Sequence, residues 1–472
     1  VGIYFRRKIT IRAGEKMYVK EINTALDSFQ LYTIFKEEPY SFFLDSGMAD
    51  GKLGKYSFIG FNPLMVFKSK NKEITIVENN MKETFYGNPF ETLKEVYTKY
   101  KMDYKSEFPF VGGFVGYLSY DLCHHIENLP RTAIDDVKIP DCYFGLYDGI
   151  IIVDHNTNRT YLAALGINED EENIVNKLSK IIYEEETKGV KINISNKSQS
   201  VEFKSNFTKE TYVNAVNKIR DYIRAGDIYQ ANLTQRFECD IDQPPYELYG
   251  KLRSINPAPF ASLIDFGEGH IVSSSPERFI QIKDNVIETR PIKGTRPRGR
   301  TPEEDIANRE DLLNSEKDKA ELLMIVDLER NDLGRVAKTG TVKVTELFVL
   351  EEYATVYHLV STIQAEMKEN CDVIDCITAT FPGGSITGAP KIRAMEIIDE
   401  LEPTQRNIYT GSIGYIGLNG DIDLNIVIRT IICKDGKAYF QAGGGLVWDS
   451  DPQLEYEETL HKSRAMMEAL NS

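Results

Sequence analysis

Two pairs of carboxylates, Asp318 with Glu321 and Glu455 with Glu458, are spaced three residues apart in stretches that read as helix, so each pair shares one helix face. Brought together, two such faces offer the hard oxygen ligands that Mg²⁺ takes when it bridges carboxylates to an anionic substrate. The spacing also allows surface carboxylates paired with Lys319 or Lys462. Lys293, in the run Pro291-Ile292-Lys293-Gly294-Thr295-Arg296, is an amine where a nucleophile can stand. Glu277, upstream in Ser275-Pro276-Glu277-Arg278-Phe279, is a carboxyl able to relay its proton. At an ordinary pKa only about one lysine in 2,500 is uncharged at pH 7, a cost of roughly 4.6 kcal/mol for the reactive form. Burial depresses a lysine pKa by up to about 3 to 5 units and so recovers a nucleophile or base. The alternative is a plain ion pair of Lys293 with Glu277 or Glu288.

Other residues suit an anion. Gly443, Gly444 and Gly445 follow a strand-like run, where absent side chains let backbone N–H groups approach a carboxylate; a glycine run is also commonly a tight turn. Arg429, read as part of an apolar strand Ile426-Val427-Ile428-Arg429-Thr430, needs a partner there and forms a bidentate fork with a carboxylate. His358 lies in another apolar strand-like run, where a lone histidine is either a satisfied core residue or a donor at a site.

The elements that must position these groups read as α+β. Tyr212, Val216, Ile219 and Ile223 recur at helical spacing and stop at Gly226. Next comes an alternating strand, with Tyr229, Ala231, Leu233 and Phe237 on one face and Gln230, Asn232, Thr234 and Arg236 on the other. Asn419-Gly420 and Asp435-Gly436 are hairpin signals between strand-like runs 411–417, 422–432 and 437–441, an antiparallel meander. The polar stretch 186–206 reads as a linker between an N-terminal segment, 1–185, and a catalytic segment, 207–472.

With a net charge of -16, the chain is a poor partner for nucleic acid, and an anionic substrate must meet a locally positive pocket. No stretch is long and apolar enough to span a bilayer, and the first ten residues lack the apolar run of a signal peptide, so a cytoplasmic protein is expected. The six cysteines form no CxxC pair, which argues against a zinc site or disulfide framework. None stands in a Gly-x-Cys-x-Gly turn with a downstream His-Glu pair. If ammonia from glutamine is used, a separate glutaminase subunit must supply it.

The runs around Glu277 and Lys293, with the stretch from Asp318 through Asp332, resemble the chorismate-binding enzymes, a family that includes anthranilate, aminodeoxychorismate, isochorismate and salicylate synthases. The resemblance implies two antiparallel β-sheets packed face to face with helices on the outside. It implies Mg²⁺ on Glu321 and Glu458, with Asp318 and Glu455 holding metal-bound water. It also implies Glu277 as general acid/base and His358 beside the C4 hydroxyl of chorismate. Gly294, Thr295, Ser385, Thr387, Gly388, Tyr409, Arg429, Gly443, Gly444, Gly445 and Lys462 match substrate contacts. For Thr387, helix initiation at Pro390 is an equal alternative.

Within the family, Lys293 is similar to the aminodeoxychorismate branch, in which the lysine forms a covalent intermediate; anthranilate synthases usually carry alanine there. Gln230 replaces the lysine that activates water in isochorismate and salicylate synthases, which disfavours water as nucleophile. Asp45, Ser46, Tyr56, Ser57, Asn256, Pro257 and Phe260 resemble the surroundings of a tryptophan site, or are turn and core residues. Anthranilate synthase component I is the nearest rival reading, and a noncatalytic amino-acid sensor on the same scaffold is the rival from another class.

Overall fold

Apolar residues on both faces of a strand demand cover on two sides. Ile150 and Ile152 of the strand Gly149–Asp154 turn toward one apolar layer while Ile151 and Val153 turn toward another, and all four are buried. Phe42 and Phe43 divide the same way. The computed structural model describes residues 17–46, 53–195, 200–353 and 356–472, and meets this demand with two 12-stranded antiparallel sheets packed face to face. Phe42, Ile152 and Ile271 of the first sheet meet Phe67, Phe114 and Ile416 of the second in the largest core. Truncating one such phenylalanine to alanine costs about 3–5 kcal/mol.

Helices lie outside. Ser28–Phe35, Pro245–Ile255 and Pro452–Asn471 cover the outer face of the first sheet through Phe29, Leu248 and Met466. Lys209–Ala225 and Lys391–Leu401 cover the strand Gln230–Asp240. Glu316–Val336 lies on the second sheet beside Ile292–Pro297 and Val356–Glu366. The fold is therefore α+β, with antiparallel sheets and external helices. No helix among the described residues is long and apolar enough to cross a membrane. The first ten residues, part of the 186–206 stretch and part of the run before His358 lie outside the described residues.

Both sheets mix strands from before and after the expected linker. Phe42–Asp45 pairs with Phe260–Asp265, and Gly113–Leu118 pairs with Ser412–Gly417. The linker is not bare coil, since the helix Glu171–Lys188 runs into it and the strand Lys204–Ser205 lies within it. The helix Lys209–Ala225 begins at a Thr208 capping box and ends at Gly226, φ 84°.

Two sequence expectations change. Tyr229 precedes its strand and is 72% exposed, and Gln230–Asp240 is buried on both faces. Two residues of its polar face are satisfied from within: Thr234 Oγ1 donates to Glu402 at 2.8 Å, and Arg236 Nη1 to Asp136 at 2.7 Å. The run 422–432 is not one strand. Ile422–Asn425 belongs to the second sheet and Thr430–Lys434 to the first, so the chain crosses between sheets at 426–429.

Candidate active site

That crossing delivers Arg429 to a cavity of about 540 Å³, where it sits at φ 51° rather than in a strand. Lys293 reaches the same cavity from the strand Ile292–Pro297. The pairing of this strand with Val356–Glu366 slips between Ile292 and Thr295, and Gly294 adopts φ 80° at the slip. A bulge of this kind re-aims a side chain. Lys293 Nζ donates to the Ser385 carbonyl at 2.9 Å and makes no ion pair among the described residues. Burial lowers its pKa below the ordinary lysine value, opposed by the charges of Glu277 and Glu321. Glu288 is engaged elsewhere, by Arg278 at 3.0 Å and Gln364 at 2.8 Å.

Glu277 is buried where the chain passes between two strands, and the Ile292 N–H donates to its Oε1 at 3.4 Å. Burial raises its carboxyl above the usual range, with the Lys293 charge opposing. His358 is 4% exposed, its Nδ1 lies 2.9 Å from Thr295 Oγ1, and burial followed by the Arg429 charge lowers its pKa to about 4. The ring is neutral at physiological pH and serves as a hydrogen-bond partner. Arg429 Nη1 donates to Asn256 Oδ1 at 3.3 Å, and its guanidinium makes no ion pair among the described residues. A half-buried cation at a cavity wall without a carboxylate partner suits an anionic ligand. Tyr409 lines the same wall.

The opposite wall is acidic. The helix Glu316–Val336 brings Asp318 and Glu321, and the helix Pro452–Asn471 brings Glu455, Glu458 and Lys462. The glycine run is no turn but part of the strand Lys437–Leu446, and forms the cavity floor. A Cβ on Gly443 would lie 2.2 Å from the Leu233 carbonyl oxygen. A Cβ on Gly444 would lie 3.4 Å from both Glu455 and Glu458 and 3.7 Å from Lys462 Nζ, so these heads converge above it.

Residues 41–468 match the family described as chorismate binding enzyme. The chain is 41% identical to anthranilate synthase component 1 of Acetivibrio thermocellus, covering 93% of this chain and 92% of that one. It is equally 41% identical to aminodeoxychorismate synthase component 1 of Bacillus subtilis, over 88% and 89% of the two chains. This chain belongs to the chorismate-binding enzymes. In three dimensions it resembles the anthranilate synthase component I of Streptococcus pneumoniae, with a TM-score of 0.79 at 33% identity over 89% of this chain and 94% of that one.

As a member of that family the chain carries acidic residues whose fit to a cation can be tested. Burial raises Glu321 and Glu455, and the facing Glu458 adds to both shifts. A divalent cation would relieve that repulsion, and carboxylate oxygens are the donors Mg²⁺ takes. Burial works to raise Glu458 too, but the Lys462 ammonium, 2.6 Å away, holds it below the usual range. Among the described residues no three such groups already stand at ligand spacing. The set therefore fits by charge and donor chemistry, with the Lys462 ammonium on one carboxylate. Asp318 is engaged by Arg296 at 3.2 Å, and Lys319 pairs with Glu316 at 3.5 Å.

The structure relocates five sequence candidates. Thr387 and Gly388 do not line the cavity. The Thr387 carbonyl accepts from Asn232 N at 2.8 Å, and a Cβ on Gly388 would strike the Gln230 carbonyl oxygen at 2.2 Å, so both brace the wall from behind. A second cavity of about 370 Å³ is lined by Asp45, Ser46, Tyr56 and Phe260, with Ser57 donating to Asp45 at 2.9 Å behind them. Asn256 and Pro257 do not line it; Pro259 does, while Asn256 faces Arg429. Asn232, Arg296, Lys317 and Gln441 line the main cavity without having been singled out from sequence. Polar residues on a strand with apolar neighbours were the available signal for Asn232 and Gln441. Arg296, at the end of the run that carries Lys293, and Lys317, just before Asp318, offered none.

Proposed function

We propose that the chain is an aminodeoxychorismate synthase component I, joining ammonia to chorismate through a lysine-bound intermediate. The observation that carries this reading is Lys293: half-buried, depressed in pKa, free of ion pairing among the described residues, and in one cavity with Glu277. The Lys293 amine attacks C2 of chorismate as the C4–O bond breaks, and Glu277, whose raised pKa favours the acid form, protonates the departing hydroxide to water. Ammonia then attacks C4, the C2–N bond to Lys293 breaks, and the surplus proton of the new ammonium passes to the lysine amine. Arg429 pairs with a substrate carboxylate. Glu321 and Glu458, with Glu455 and Asp318 near, would hold Mg²⁺, which neutralises the ring carboxylate when bound. A glutaminase subunit supplies ammonia, as the "component 1" names of the relatives suggest. The second cavity suits an amino acid such as tryptophan.

Mass spectrometry of protein trapped with chorismate, without ammonia, is expected to find an adduct on Lys293. Lys293→Ala is expected to abolish product. A variant making aminodeoxychorismate at the parent rate would remove the mechanism. Anthranilate synthase component I is the second reading, favoured by the equal identity to that relative. Fluorescent anthranilate formed from chorismate and ammonium without an added lyase would establish it instead.

A further inference from the structure

Lysine is an unfavourable residue with which to open a helix, because the positive end of the helix dipole repels a cation. Lys391 nevertheless begins the helix Lys391–Leu401 directly after Pro390, and the first turn carries no acidic residue to offset it. What holds the ammonium lies elsewhere. It pairs with Asp332 of the helix Glu316–Val336, the two side chains being only 13% and 9% exposed. Lys391 Nζ donates to Asp332 Oδ2, to the Thr380 carbonyl at 3.2 Å and to the Pro382 carbonyl at 2.9 Å. An ammonium has three N–H donors, so all are taken. Lys391 does not line the active-site cavity and has no donor left for a ligand.

The two carbonyls begin the stretch 380–386, whose other end is anchored as well. Arg406 Nη1 donates to the Ile386 carbonyl at 3.1 Å, while its Nε and Nη2 bond Glu402 at 2.9 and 2.8 Å. Thr387 Oγ1 donates to the Gly383 carbonyl at 3.0 Å. Between these anchors the Ser385 carbonyl accepts from Lys293 Nζ at 2.9 Å. A carbonyl is a neutral acceptor. It aims the amine without the counter-charge by which a carboxylate would favour the ammonium form.

We propose that Lys391, paired with Asp332, is a positioning residue for Lys293: by fixing the Thr380 and Pro382 carbonyls it sets the Ser385 carbonyl that aims the amine at the substrate. This rests on the functional reading above, in which Lys293 is the nucleophile. The test uses the full chain with chorismate, Mg²⁺ and ammonium. Lys391→Met keeps the length of the side chain and removes its donors, but leaves Asp332 buried without its partner. The paired variant, Lys391→Met with Asp332→Asn, removes both charges and is expected to melt close to the parent, because a buried ion pair adds little net stability. At a temperature where near-ultraviolet circular dichroism shows both folded, the paired variant is expected to lose about 10- to 100-fold in kcat, the effect of a small misplacement at a reacting group, with the KM for chorismate within about twofold. Without ammonia, mass spectrometry is expected to find the Lys293 adduct forming more slowly by a similar factor. A folded paired variant that keeps the parent kcat, or the parent rate of adduct formation, overturns the inference alone. A Lys293→Ala chain that turns over at the parent rate overturns the functional reading and this inference with it.

Discussion

Arg429 and Lys293 are half-buried side chains that make no ion pair among the described residues, which for the Arg429 cation is a cost until substrate arrives. Burial alone lowers the Arg429 pKa, and its guanidinium donates to Asn256 Oδ1. Arg429→Gln is expected to raise the KM for chorismate by about 30-fold or more, the loss typical when one member of a buried charge pair is removed. The same variant should unfold at an equal or higher temperature than the parent without ligand, because an uncompensated buried charge has gone. A lower melting temperature with unchanged KM would place Arg429 in the scaffold. For Lys293 the neutral amine is the reactive form, so kcat/KM for chorismate should rise with pH and level off. Because its pKa is lowered, the plateau should begin below the pH at which an ordinary lysine titrates. A rate still climbing at pH 10.5 would show an unperturbed amine.

Side-chain chemistry here depends on irregularities in regular elements. The slip between Ile292 and Thr295 turns Lys293 into the cavity, and Gly294 makes it possible at φ 80°. An added Cβ there would lie 2.8 Å from Leu312 Cδ1 and 2.9 Å from Asp318 Cγ. Gly294→Ala is expected to cost about 1–3 kcal/mol in thermal or denaturant unfolding and to reduce kcat more than it raises KM. Unchanged kcat would mean that the bulge does not aim the lysine. The crossing at 426–429 is the second irregularity. Sequence pattern joined it to its neighbours as one strand, because Ile426, Val427 and Ile428 are apolar whether they continue a sheet or plug the gap between two.

At the scale of the molecule, packing buries carboxyl groups both at the junction of the two halves and inside the second one. Asp121 accepts from the Asn407 N–H at 2.8 Å, and burial, with the Asp141 charge adding, raises its pKa to about 7. Glu329, between Thr289 and the loop at Gly384, is raised by burial to about 8. Below the ordinary carboxylate range both groups are protonated whether the chain is folded or not. Between that range and about pH 8 the unfolded chain releases protons that the folded chain keeps, so stability should fall as pH rises and then level off. Glu329→Gln should flatten that decline in denaturant titrations across pH 5 to 9. A parent and variant with parallel pH curves would show Glu329 to be ionised in the fold.

Local chemistry was legible in the residues: the helix faces carrying Asp318 with Glu321 and Glu455 with Glu458, the stop at Gly226, the hairpin turns, and the amine at Lys293 all depend on neighbours within a few positions. Resemblance added the expectation of two facing sheets. What only the tertiary structure decided was long-range. Which strands pair across the two halves, where Arg429 leaves its strand, and that Asn256 serves the main cavity rather than the second one all depend on contacts between residues far apart in sequence. Those contacts are set by how two sheets share one core, a constraint that no short window of sequence contains.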